Sequence, residues 1–409
     1  MIIAHKIALD PTDEQRVYFA RASGTARFAY NWALGEWKRQ YESGEKPSEV
    51  TLRRQLNAIK REQFPWMFDV TKCAVQEAII DLGVAFRNYF RDLGKPKGPG
   101  KAGRPCFKKK GIYDSFCAAN ETGTFRCEGK RIKVPIIGWI KMREAVRFSG
   151  ILKRVTVSRE ANRWFACISI DTADIKPVEQ PQEVVGVDLG VKVLATPSRG
   201  DPIAGPKAHE TLLKRLRRTS RALSRKVKGS ANRRKAQRKL ARLHARIANI
   251  RKDATHKATT HLTKTFKRIG IEDLNVRGMA KNRHLSRSIM DGGFGEFRRQ
   301  LEYKAQFYGA TIVVADRWFP SSKTCSCCGS VKAELALSQR TFHCDDCGFE
   351  CDRDLNAARV LERLAASSAR QQPPRLAACG EERSGAVRKS RVKRASMKQE
   401  PKLEIKAYA

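Results

Sequence analysis

The sequence predicts a multidomain α+β protein, and three observations lead there. Apolar residues recur at three- and four-residue steps through most of the first 92 positions. The period then drops to two between about 112 and 171. Beyond 183, apolar strand-like runs alternate with helical ones and surround two CxxC pairs. A chain of 409 residues, 41% of them hydrophobic, can bury a core and has room for two or three domains. No run of about 18 apolar residues is present and the start lacks an apolar signal core, so a cytoplasmic protein is expected, with no membrane partner. Lys and Arg outnumber Asp and Glu by 82 to 42, a formal net charge of +40. Solubility asks for a magnitude of only about 2–8 in a small domain, so the excess points to a polyanion, nucleic acid first.

Residues 5–9 read as a short strand. Asp10 ahead of Pro11 and Thr12, with Asp13 and Glu14 behind them, is a helix-start signature. Helical patterns run to about 41, from about 48 to 60, and from 71 to 92. In the last of these, Val75, Ala78, Ile79, Leu82, Ala85, Phe86, Tyr89 and Phe90 form a core-facing stripe. Between 94 and 110 Gly, Pro and Lys dominate, as in a basic loop. Segments 131–137, 152–158 and 164–171 alternate as strands, with 160–163 as the turn of a hairpin. Residues 172–182, with two prolines, read as a linker.

Val184, Val185 and Val187 predict a buried strand ending at Asp188, and a second run, 191–196, predicts another strand after a tight turn. The stretch 207–268 is helical, broken near Gly229 and Ser230, with a seam of Leu212, Leu213, Leu216, Leu223, Leu240, Leu243, Ile247 and Ile250. It holds 22 basic residues and only two acidic ones, Glu210 and Asp253. Charges of one sign repel unless an anion lies among them, so this basic helical hairpin is expected to hold phosphates, through Arg233, Arg234, Lys235 and Lys239 among others. Strands are expected at 268–274 and 310–316, helices at 294–308 and 354–364. After about 365 the composition becomes that of a mobile basic tail.

Of twelve cysteines, Cys73, Cys106, Cys117, Cys127, Cys167 and Cys379 are scattered singly, while the other six crowd between Cys325 and Cys351. Clustered cysteines in a cytosolic chain point to metal rather than to disulfides. Cys325/Cys328 and Cys344/Cys347 are CxxC pairs separated by 15 residues, each followed by a glycine, Gly329 and Gly348. Such thiolates close one tetrahedral Zn²⁺ site, which is structural because no position stays open. Cys327 and Cys351 are extra thiols close by.

Acidic residues are scarce and therefore informative. Asp188 ends an apolar strand, Glu272 sits in another, and Asp354 opens a helix just after the cysteines. Each alone reads as a cap or turn residue. Together they supply three carboxylates from two strands and a helix to one sheet edge, where they repel unless cations neutralise them. Carboxylates with open water positions suit two Mg²⁺ or Mn²⁺ ions, the chemistry of phosphodiester hydrolysis.

Motifs in order now give a resemblance that covers the chain to about 366. They are Leu9, Pro11, Thr12, Gln15 and Gly24; Arg27 to Trp32; Ala85 to Phe90; Arg104, Pro105, Phe107 and Lys108 to Lys110; Ser115 and Phe116. They continue with Gly186, Asp188, Gly190 and Lys192; Glu272, Leu274, Asn275, Gly278 and Met279; Gly295 to Phe297; Tyr303 to Ala305; Phe319 to Ser322; and Asp352, Asp354, Asn356, Ala357 and Ala358. The sequence resembles the TnpB family, the transposon-encoded RNA-guided nucleases long labelled transposases and related to type V CRISPR effectors.

The resemblance implies a RuvC (RNase H-like) nuclease core over 183–318 and 349–366, with a zinc ribbon at 319–348 that binds target nucleic acid. It implies a β-barrel wedge domain over 1–10 and 94–175, a helical recognition domain over 11–93 inserted into it, and the tail over 367–409. Asp188, Glu272 and Asp354 carry over as the catalytic triad and Mg²⁺ ligands, with Asp354 rather than Asp352 two residues before Asn356. Arg27, Tyr30, Asn31, Lys108 and Lys109 carry over as expected nucleic-acid contacts in the amino-terminal half. The implied partners are a guide RNA from the element's end and a double-stranded DNA target, bound by a monomeric ribonucleoprotein in a bacterial or archaeal cytoplasm. Guide pairing reads the target, and the wedge and recognition domains read a short flanking motif. Competing functions are a transposase or transposition regulator on the same fold, and a guided repressor that binds without cutting.

Overall fold

The computed structural model describes residues 1–96, 101–112, 114–119, 125–173, 175–336 and 338–368. Of the expected tail, residues 369–409 lie outside the described residues, Cys379 with them.

The amino-terminal half begins with β1 (Ile2–Ala8) and the 30-residue helix α1 (Asp13–Glu42). Thr12 starts α1 with a full capping box: its hydroxyl accepts from the Gln15 amide while the Gln15 side chain accepts from the Thr12 amide. Helices α2 (Glu49–Gln63) and α3 (Lys72–Asp92) follow. Six strands come next: β2 (Ser115–Ala119), β3 (Arg126–Glu128), β4 (Arg131–Val134), β5 (Gly138–Lys141), β6 (Ile151–Glu160) and β7 (Arg163–Asp171). They form an antiparallel sheet in the order β1-β7-β6-β2 and a three-stranded meander β3-β4-β5. The β6–β7 turn uses Ala161 and Asn162 at φ +48° and +64°, the left-handed pair that a two-residue hairpin loop requires. Phe19 of α1 lies 5.9 Å from Phe116 of β2 and 5.2 Å from Trp164 of β7, ring centre to ring centre. Helices and sheet therefore share one core. A bridge between Leu9 and Met142 ties the two sheets together.

The second half contains β8 (Gln182–Asp188), β9 (Thr196–Pro197), α4 (Ala208–Ser224), α5 (Ala231–Thr265) and β10 (Phe266–Ile271). It continues with α6 (Val276–Met279), α7 (Ser286–Gly292), α8 (Phe294–Tyr308), β11 (Thr311–Val314), β12 (Thr341–His343), β13 (Glu350–Asp352) and α9 (Arg353–Ser367). The sheet order is β11-β10-β8-β9, with β10 parallel to both neighbours and β9 antiparallel to β8. The strand expected over 191–196 is not formed. Residues 191–194 are bends, and the apolar pair Leu194 and Ala195 is buried instead of joining a long ladder. Pairing is limited to a single bridge of Ala195 to Ile203 and, against β8, to the two-residue β9, whose Pro197 has no N–H to donate.

Helix α5 changes role along its length. Its first turns are mostly exposed, whereas Ala258 and Leu262 enter a core with Phe294, Phe297 and Leu301 of α8. Lys304 of α8 is buried against α5, donating to the His256 carbonyl at 2.8 Å and the Thr259 and Thr260 hydroxyls at 2.7 and 2.8 Å. No helix among the described residues is long and apolar enough to cross a membrane.

Two glycines decide where α9 sits. Gly186 of β8 and Gly270 of β10 are register partners. A Cβ on Gly186 would fall 1.9 Å from the Ala358 carbonyl oxygen, and one on Gly270 would fall 2.4 Å from that of Leu361. The backbone of α9 therefore lies directly on the two strands, which only residues without a side chain permit. Gly186→Ala or Gly270→Ala should lower stability by about 3 kcal/mol or more, because backbone has to move. Gly35→Ala, in α1 with open space at its Cβ, should instead raise it by about 0.5–1 kcal/mol. Denaturant unfolding of the three variants measures both.

Candidate active site and metal centre

The register of the parallel strands brings the first two carboxylates together. Ile271 pairs with Val187, so the next residues, Glu272 and Asp188, emerge side by side at the carboxyl ends of neighbouring strands. That edge is where open α/β sheets place their sites. Asp354 stands in the first turn of α9, one turn before Ala358, whose carbonyl rests on Gly186. The glycine contact thus delivers Asp354 to the same edge. Burial, then the charges of Glu272 and Asp354, push the Asp188 carboxyl up to about 8, against a smaller opposing pull from Arg353. A buried carboxyl whose ionisation two neighbouring carboxylates oppose fits a divalent cation at this edge.

Their neighbours have other work. Asp352 caps α9, accepting from the Asp354 and Leu355 amides at 2.9 and 3.1 Å. Asp273 is claimed by Arg298 and Arg317, which hold its carboxyl below the usual range. Glu272 accepts from the buried hydroxyl of Ser321. Nothing in the sequence marks Ser321 as a partner of Glu272, since 49 residues separate them.

The four cysteines form the only cluster among the described residues whose ligand atoms all lie within 4.8 Å of one another. Cys325 and Cys347 sulfurs are 3.7 Å apart, those of Cys328 and Cys344 3.6 Å. A tetrahedral ion with about 2.3 Å bonds to sulfur holds its ligands about 3.8 Å apart, so the set fits a metal such as zinc. Burial pushes the Cys325 thiol up, but the Cys328 and Cys327 amides aimed at its sulfur, together with the Cys344 and Cys328 thiols, more than offset this and leave it at about 7. Gly329 and Gly348 take φ +86° and +71°, as the turn after each pair requires. Neither Cys327 nor Cys351 belongs to the cluster, and the Cys351 thiol bonds the Asp352 carbonyl instead. The buried Asn356 of α9 grips the first knuckle, donating to the Thr324 carbonyl at 2.7 Å and accepting from the Ser326 amide at 2.9 Å.

The expected nucleic-acid residues divide. Arg234, Lys235 and Lys239 are exposed on α5. Arg233 is not available in the same way: its guanidinium donates to the Leu223 and Lys226 carbonyls at 3.1 and 3.0 Å and closes the end of α4. Arg27 pairs with Asp114 at 3.0 Å, Asn31 exchanges two hydrogen bonds with the Lys108 backbone, and the Lys108 ammonium sits 3.9 Å from the centre of the Tyr30 ring. In the chain alone these four fasten the basic loop to α1, whereas Lys109 is exposed. Lys235 and Lys239 also line a groove of about 1210 Å³ with Lys6, Arg163, Arg215 and Arg242. That groove joins the hairpin to the amino-terminal sheet. Its members are too far apart in sequence for any local pattern to reveal.

Residues 165–283 match a family model described as "Probable transposase", residues 294–361 one described as "Cas12f1-like, TNB domain", and residues 1–46 one described as "Helix-turn-helix domain". In this chain that last stretch forms β1 and the single helix α1. A Streptomyces pristinaespiralis protein assigned as an RNA-guided DNA endonuclease is 38% identical over 401 residues, covering 97% of this chain and 96% of the relative. InsQ of Escherichia coli K12, assigned likewise, is 34% identical over 423 residues and covers 99% of both. The CRISPR-associated endodeoxyribonuclease Cas12f1 of Sulfoacidibacillus thermotolerans is 26% identical over 211 residues, 49% of this chain and 50% of the relative.

Cys328→Ser and Cys344→Ser should each lower the metal content measured by elemental analysis and loosen the segment around the knuckles, since folding and binding are coupled in such modules. Cys327→Ser and Cys351→Ser should leave the metal in place.

Proposed function

The chain belongs to the TnpB family of RNA-guided DNA endonucleases, and from that premise we propose that it cuts DNA next to a short flanking motif, directed by an RNA from its own element's end. The observation that carries this reading is the meeting of Asp188, Glu272 and Asp354 at one sheet edge, with Asp188 pushed up to about 8 by burial and by the other two. The parallel strands β8 and β10 crossed by α9 are consistent with a RuvC-like core over 183–318 and 349–366.

In this reading the three carboxylates hold two Mg²⁺ or Mn²⁺ ions. When bound, such ions supply an activated water and charge for the leaving oxygen of a phosphodiester. The chain's own part is positioning. Ser321 orients Glu272 through its hydroxyl, Asp352 fixes the first turn of α9, and Asn356 locks that helix to the cysteine module. The four cysteines hold one structural Zn²⁺ in a ribbon over 319–348 that touches target nucleic acid. The groove lined by Lys6, Arg163, Lys235 and Lys239 holds phosphates of RNA or of the guide–target heteroduplex. Base identity in the target is left to guide pairing, and the amino-terminal sheets and helices read the flanking motif as wedge and recognition domains. The active particle is a monomeric ribonucleoprotein.

Asp188→Ala, Glu272→Ala and Asp354→Ala should each slow cleavage on the order of 1000-fold or more while guided DNA binding survives. Asp352→Ala should cost about 1 kcal/mol of helix stability and leave cutting within about tenfold. Single-turnover cleavage and filter binding, on protein purified with its co-expressed RNA, test this. The reverse pattern at Asp352 and Asp354 would overturn the choice of third ligand.

Neutralising Arg234, Lys235 and Lys239 together, with Arg233 kept, should weaken RNA binding about equally for every guide. It should also make the log–log salt dependence shallower by about 2 to 3. An unchanged slope across a salt series would make this face of α5 merely solvated.

A further inference from the structure

The most exposed large apolar side chain among the described residues is Trp318, at 86%. It lies in the turn that follows β11, and that turn is tightly held. The Asp316 side chain accepts from the Trp318 amide at 2.9 Å, the Asp316 carbonyl from the Phe319 amide at 3.0 Å, and the Phe319 carbonyl from the Ser321 amide at 2.9 Å. Both flanks are tied to the catalytic edge. Arg317 donates to Asp273 at 2.6 Å, and Ser321 donates to Glu272. The strand register agrees, since Ile271 pairs with Val314 as it does with Val187, so the turn leaves the sheet at the edge that carries Asp188 and Glu272. An indole is thus displayed in solvent from a hydrogen-bonded turn, between two residues anchored on the Glu272–Asp273 pair.

An apolar ring of this size left in water is unfavourable unless something covers it. The surroundings say what. Arg317, half exposed although paired with Asp273, precedes it in a chain of net charge +40, which favours an anionic partner. An aromatic face beside a cation, next to a phosphodiester-cutting centre, suits an unpaired nucleobase, whose π-face any sequence offers. We propose that Trp318 is a stacking platform for one unpaired base of the DNA strand entering the Asp188–Glu272–Asp354 centre. The proposal rests on the nuclease reading above and adds a substrate-binding residue to it. Because hydrogen bonds already hold the turn, little ordering entropy is lost when the base arrives.

The test separates stacking from charge and from cutting. Affinity of the RNA-free full chain is measured, without divalent cation, for an eight-nucleotide oligothymidylate and for its all-abasic counterpart, which carries the same phosphates. The wild type should prefer the base-bearing strand by between about 5- and 150-fold, the range that one stacked base supplies. Trp318→Ala should lose most of that preference, and Trp318→Phe should keep most of it. Trp318→Ala should also slow single-turnover cleavage of a matched target by a similar factor, with metal content and guide RNA affinity unchanged. Equal affinities of the wild type for the two strands, or a preference unchanged in Trp318→Ala, would overturn the proposal. So would a Trp318→Ala variant that altered only self-association in sedimentation, which would make the indole a protein contact. Loss of activity in Asp188→Ala reads the nuclease function separately, so either conclusion can fail without the other.

Discussion

The sheet edge that gathers Asp188, Glu272 and Asp354 depends on a contact with no side chain in it. Gly186 and Gly270 face each other across β8 and β10, and the carbonyls of Ala358 and Leu361 occupy the space where their Cβ atoms would be. This sets the height and the angle at which α9 crosses the sheet. Asp354 rides on that helix, so its distance from Asp188 and Glu272 is fixed by backbone packing rather than by any bond between the three. A side chain at either glycine would meet the backbone of α9, so the helix that carries Asp354 would have to move.

Charge explains why the arrangement holds in one place and strains in another. The chain carries an excess of 40 positive charges yet gathers three carboxylates at one edge, where burial and mutual repulsion hold Asp188 near 8. Asp273, next in sequence to Glu272, is spent on Arg298 and Arg317. That division of labour matters: the paired carboxylate fastens a turn, and the neighbouring one stays at the sheet edge with Ser321. Elsewhere the positive excess sits on α4, α5 and the groove they share with the amino-terminal sheet, where an anionic polymer would relieve it.

The cysteine module is coupled to the carboxylates at both ends. Ser321 enters it from Glu272, and α9 leaves it carrying Asp354. Asn356, fully buried, binds the first knuckle two residues after Asp354. A metal held by the four sulfurs would therefore also order the start of α9 and the hydroxyl bonded to Glu272, through hydrogen bonds at a distance.

The sequence by itself determined the local elements and the chemistry of their ends. Thr12 announced α1, Ala161 and Asn162 were read within a hairpin turn, and the two CxxC pairs defined a tetrahedral thiolate set, because each rests on neighbours within a few residues. It also singled out Asp188, Glu272 and Asp354, since acidic residues at strand ends and helix starts stand out in so basic a chain. It misjudged 191–196, where an apolar run serves burial rather than pairing, and it could not tell that Arg233 closes a helix while Arg234 faces solvent. Only the tertiary structure decided that Gly186 and Gly270 form one helix seat, that Ser321 serves Glu272, that Lys6 and Lys239 share a groove, and that Trp318 stands uncovered beside the carboxylates. The physical reason is common to all four. Each depends on strand register and close packing between segments far apart in the chain, and local propensity carries no record of which distant backbone will arrive.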